Sequence, residues 1–182
     1  MVIDVLSTTE VAAAHASGRF VGSTLQELKR RTVPGTNLLQ INAWAEQLIA
    51  QAGAVSCYVD YAPSFGRGPF GKVICTSVNN AVLHGLPFDY AVADGDLLTL
   101  DFAVSVNGWV TDAAISFTVG SSAAPEDTTM IRATEEALAA GIAVAQPGNR
   151  IGDISHAIGE VLSAAGYGIN TEFGGHGVGR TM

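Results

Sequence analysis

Basic residues are scarce in this sequence: Lys and Arg total 9 of 182 residues against 17 Asp and Glu, a formal net charge of -8. Such a surface repels phosphate backbones and anionic headgroups, so no specific nucleic-acid or membrane partner is expected. Cysteine is nearly absent, with only Cys57 and Cys75. Two thiols make neither a disulfide framework nor a Cys-x-x-Cys knuckle, which suits a reducing compartment, and the expected location is the cytoplasm. No apolar run approaches the ~20 residues that cross a bilayer; ALAAGIAVA at 137–145 is among the longest. The start, MVIDVLSTTE, places an acid early with no basic stretch before an apolar one, and does not read as a signal peptide. Little charge does not mean disorder here, because 48% of the residues are hydrophobic, the composition of a globular chain with a sizeable core.

What is present first is helical periodicity. Residues 8–31 carry Val11, Ala14, Val21, Leu25 and Leu28 among polar neighbours and read as a helix ended by Pro34-Gly35. The stretch PGTNLLQINAWAEQLIAQAGA at 34–54 then places Ile41, Trp44, Ala45, Leu48 and Ile49 on one helical face behind a Thr36 cap. PGNRIGDISHAIGEVLSAAGY at 147–167 repeats the pattern with Ile154, Ala157, Ile158, Val161 and Leu162, and Asn149 in the place of Thr36. Each copy opens with Pro-Gly, closes with Ala-Gly and follows another helical segment, the second spanning about 126–145. This predicts one domain over 1–182 built by duplication, a first repeat at about 8–120 and a partial second at about 126–182.

Strand-like sequence lies between the helical pairs: KVICTSV at 72–78, DLLTLDFAVSV at 96–106 and WVTDAAISFTVG at 109–120. Asn107-Gly108 joins the last two, and both residues tolerate the positive φ of a type I′ hairpin turn. A two-residue loop pairs Leu98 with Phe117, Leu100 with Ile115, Phe102 with Ala113 and Val104 with Thr111, giving one apolar face. Asp101 and Asp112 fall on the other as diagonal neighbours, about 7–8 Å apart at the backbone. Many hairpins simply wet such a face. Here the flanking residues are small or aliphatic, so the acids would be partly dry, and a cation would offset the cost of burying them. Two carboxylates so placed could bracket metal ions ~3.5–4 Å apart.

Of the four histidines, His15 and His156 lie off the apolar stripes of their helices and read as surface residues. His84 sits in the turn-rich VNNAVLHGLP, and His176 in FGGHGVGR, where glycines let the backbone bend sharply or approach a ligand. GGHGVG lacks the Lys-Ser/Thr of a phosphate loop, and no G-x-S-x-G elbow supports a serine hydrolase.

Taken in order, CTSVNNAVLHGLP, DGDLLTLDFAVSVNGWVTDAAISFTVG, ALAAGIAVAQPGNRIGDISHAIG and GGHGVGR resemble the type I methionine aminopeptidases from about residue 8 to the end. The resemblance implies the α/β pita-bread (creatinase/aminopeptidase) fold: an antiparallel sheet with helices on one face and two pseudo-symmetric halves, the second incomplete here. It implies removal of the initiator methionine from nascent proteins, through a hydroxide bridging two divalent ions (Co, Mn, Fe or Zn). Methionyl peptides and nascent chains would be the substrates, with the ribosome nearby.

By position, Asp101 would chelate one ion, Asp112 would bridge both and His176 would bind the other. His84 would contact the substrate near the scissile amide, and Phe70 and Cys75 would line the methionine pocket. Two departures stand out. The family's Gly, aromatic, Pro, Lys run is GPFGK at 68–72, and the His-Glu pair and two later glutamates of the family have no counterpart within residues 1–182. The 182-residue form is therefore expected to turn over poorly and to expose apolar surface. The alternatives are a non-catalytic binding module of the same fold and, less closely matched, a proline-specific peptidase.

Overall fold

The computed structural model describes residues 5–62 and 68–182, which leaves the first four residues of the N-terminal stretch outside. The element order is α1 (Thr8–Arg31), α2 (Leu38–Ala52), β1 (Val55–Ser56), β2 (Cys75–Val78), β3 (Leu97–Val106), β4 (Trp109–Thr118), α3 (Pro125–Val144) and α4 (Ile151–Ala164). These form two compact units, one of residues 1–123 with 177–182 and one of residues 124–176.

The first unit is an antiparallel sheet with α1 and α2 on one face. β3 is its centre. β4 pairs along one edge of β3, while β1 and β2 share the other, Val55 opposite Ser105 and Cys75 opposite Asp101. Asn107 and Gly108 turn the hairpin with φ of 52° and 77°, and the register matches the expected pairing from Leu98–Phe117 to Val104–Thr111. The apolar hairpin face then packs Leu98, Leu100, Phe102, Val104 and Phe117 against Val21, Leu25 and Leu28 of α1 and Leu38, Ile41 and Ala45 of α2, all buried. Burying a side chain of that size contributes about 1.5–3 kcal/mol, so this interface dominates the unit's stability.

Several local expectations need correction. The buried stripe of α1 begins at Ser17, and Val11 is exposed. Thr36 does not cap α2, because its backbone pairs with Val92 and its hydroxyl accepts the Val33 N–H. Asn37 caps instead, its Oδ1 accepting the Leu39 N–H at 2.9 Å. Nor does Asn149 cap α4: its amide donates to the Val144 carbonyl, while the Asp153 carboxylate accepts the Arg150 N–H. The strand predicted from Lys72 starts at Cys75, because β3 offers its paired edge only from Asp101 back to Leu98. β1, two residues long, was not expected.

The second unit is the helical pair α3 and α4. Gly141 lets them approach, since a Cβ there would lie 2.9 Å from the Ile158 side chain. The expected stripe of α4, from Ile154 to Leu162, is its less exposed face.

Candidate active site

Asp101 and Asp112 share the sheet face opposite the helices. Asp101 is opposite Ala114, and Asp112 is opposite Ala103, the diagonal placement that the Asn107-Gly108 turn dictates. Both are half-buried, and the surrounding surface is apolar: Tyr58, Cys75 and Ala103 form a small buried cluster with Cys57 and Phe70 against it. Tyr58 joins the two acids. Its hydroxyl lies 2.7 Å from Asp101 Oδ1 and 3.3 Å from Asp112 Oδ1, so one phenol proton serves two carboxylates.

The electrostatics follow from that crowding. Burial pushes the Asp101 carboxyl above the usual carboxylate range; the Tyr58 hydroxyl opposes this, and the neighbouring Asp112 adds to it. Burial first, and then the two aspartates, pushes the Cys75 thiol up to about 12. Cys57 moves in the same direction, through burial and Asp112. Both thiols stay protonated near neutrality, which suits them to line a pocket rather than to act as nucleophiles or thiolate ligands.

Phe70 and Cys75, expected at one pocket wall, do converge. The Phe70 ring meets Tyr58 edge-on at 5.9 Å, and Cys75 is the cross-strand partner of Asp101. His84 lies in the loop after β2, exposed, with φ 54°. Gly85 seats that loop against the strand: its carbonyl accepts the Thr76 N–H at 2.7 Å, and its own N–H donates to Ser77 Oγ. His84 exerts a small downward pull on the Asp101 carboxyl. His176 is the last residue of the helical unit and is exposed. His15 and His156 are surface residues, as expected.

Among the described residues no group of three or more His, Cys, Asp or Glu side chains is gathered closely enough to hold an ion. The chemistry of the pair nevertheless fits one. Two half-dry carboxylates on one face present hard oxygen donors side by side, the donor type that divalent cations take. Sequence reasoning missed Tyr58, which is 43 and 54 residues from the two aspartates, too far for any local pattern to signal.

An antiparallel sheet backed by two helices thus carries a carboxylate pair on its other face, an arrangement compatible with a metallohydrolase. The chain belongs to metallopeptidase family M24, whose model matches residues 12–182. It is 35% identical to a methionine aminopeptidase of Clostridium acetobutylicum over 99% of this chain and 70% of that protein. It is 38% identical to methionine aminopeptidase 1 of Mycobacterium tuberculosis over 97% of this chain and 66% of that one. The crystal structure of the Rickettsia prowazekii methionine aminopeptidase superposes with a TM-score of 0.92 at 29% identity, covering 99% of this chain and 70% of that one. The fold is thus the pita-bread fold of these enzymes.

Proposed function

We propose that this protein is a metal-dependent methionine aminopeptidase that hydrolyses the first peptide bond of chains beginning with methionine, nascent proteins among them. The observation that carries this is the Asp101–Asp112 pair tied through Tyr58, on an otherwise apolar face, in a member of the M24 family. Asp101 and Asp112 would hold divalent cation, and the Gly-rich motif alone supports His176 as a third ligand. Bound cations supply Lewis acidity, polarising the carbonyl and acidifying water. The chain's own residues do the rest. The Phe70–Cys75–Tyr58 wall excludes water and offers an apolar surface to the methionine side chain, and His84 would hold the substrate peptide by a hydrogen bond near the scissile amide.

Mn, Fe, Co and Zn all suit oxygen and imidazole donors. The scarce cysteine supports a cytoplasmic enzyme, and a substrate that begins with the initiator methionine would be met as it emerges from the ribosome. The shared Pro-Gly and Ala-Gly ends of the two helical stretches support one domain made by duplication. Residues 1–182 by themselves are proposed to turn over slowly, because the resemblance assigns them only two carboxylates and one imidazole.

Cobalt titration with a Met-Ala-Ser cleavage assay tests the reading. Wild type should take up Co, and Asp112→Asn should lose affinity by more than the ~10–100-fold typical of an outer-sphere partner, with cleavage falling in parallel. Peptide binding without cation uptake or turnover would instead identify a non-catalytic module.

A further inference from the structure

The hydroxyl of Tyr58 takes no part in the hydrolysis described above, yet its ring is built firmly into the site. Tyr58 is 8% exposed. Its backbone N–H donates to Ser56 Oγ at 3.1 Å, its ring is set edge-on to Phe70, and it packs with Cys75 and Ala103. A ring held this way brings its hydroxyl to the two carboxylates, while the O–H itself can rotate toward or away from them. Its oxygen is within 3.3 Å of one oxygen of each carboxylate. It therefore lies between the two carboxylates that a cation would have to engage, and it ties them by hydrogen bonds alone.

We propose that Tyr58 is a positioning residue that stands in for the first cation: it keeps Asp101 and Asp112 together in the metal-free protein and gives up their oxygens when the ion arrives, so that it lowers metal affinity. This rests on the reading of Asp101 and Asp112 as metal ligands. The opposite role, an outer-sphere donor that orients a ligand already on the metal, would raise affinity, and its loss would cost ~10–100-fold. The two roles differ in the sign of one measurement. A hydrogen bond to a carboxylate stabilises the metal-free state, and whatever stabilises only that state weakens binding by the same free energy.

The test is isothermal titration of Mn into the purified wild type and Tyr58→Phe. The variant should bind the first ion about three- to tenfold more tightly, the part of a charged hydrogen bond that binding no longer forfeits. Its metal-free form should melt lower, and the gap in melting temperature between metal-free and Mn-saturated protein should widen. A merely structural tyrosine would lower both melting temperatures together and leave the affinity unchanged. Equal or weaker binding by Tyr58→Phe, with wild type binding normally, overturns this inference alone. No Mn uptake by wild type overturns both it and the ligand reading.

Should Tyr58→Phe fail to fold, the ultraviolet difference spectrum of wild type on adding Mn decides. A phenol that loses a carboxylate acceptor shifts its absorption to shorter wavelength. Absence of that shift in the Mn-bound protein overturns the proposal.

Discussion

Asp96 and Asp101 stand five positions apart, and their surroundings drive them in opposite directions. Burial would raise Asp96, but the Asn79 amide, the Ala93 N–H and the Tyr90 hydroxyl all donate to it and leave it below its ordinary value. Asp101 has a shared phenol and a like charge beside it, and stays raised. The first arrangement stabilises the fold; the second disfavours the charged carboxylate, and under the proposed function a bound cation would favour it. Asp96→Ala should destabilise the protein by about 2–3 kcal/mol, since three donors lose a charged acceptor and water replaces it only in part. Because the folded-state value is depressed, the contribution of Asp96 is complete above the ordinary aspartate value of about 4 and fades as pH falls through and below it. Denaturant melts across pH 2–7 should therefore show wild type losing stability at the acid end and the variant losing less.

The β2 strand and its loop show how a short element places one exposed side chain, His84. Gly85 is needed there for closeness rather than for an unusual φ: a Cβ would run into the Thr76 carbonyl oxygen and come within 2.7 Å of Ser77 Cα. Gly85→Ala should cost about 1–3 kcal/mol of stability, in the range of overpacking substitutions. If His84 contacts substrate, the same variant should lower kcat/KM by more than its folded fraction explains, which thermal melts and peptide cleavage on the same sample would show. The β3–β4 hairpin was legible because its register is local: Asn107-Gly108 fixes the turn, and the period of two then assigns every side chain a face, Asp101 and Asp112 included. β1 and the true start of β2 were not legible, because both are defined by the edge of β3 they meet. The two cap errors share a cause, since Thr36 and Asn149 each sit one residue before the N-cap, Asn37 and Arg150, and are engaged elsewhere.

The two units differ in how much they bury. The sheet unit has a continuous core of fully covered side chains, whereas no residue of α4 is buried, and in α3 only Ala133, Ala137 and Gly141 are. Leu138, Ile142 and Ile151 of the helical pair are 60%, 65% and 76% exposed. Local stability follows buried apolar contact, so hydrogen exchange in residues 1–182 should be fastest in α3 and α4 and slowest in β3 and α1. Uniform protection across both units would contradict this.

The amino-acid order determined what can be decided over a few residues: three helices from their apolar spacing, a hairpin from one dipeptide, and two acids on one face of it. Family membership was readable for the same reason, through motifs whose spacing the chain carries directly. The tertiary structure alone decided which acid would be satisfied and which held in tension, and that Tyr58 would bridge the pair. Those outcomes depend on side chains 6 and 17 residues from Asp96, and 43 and 54 residues from the paired acids, meeting beside β3, where burial and charge are set by neighbours that no local pattern names.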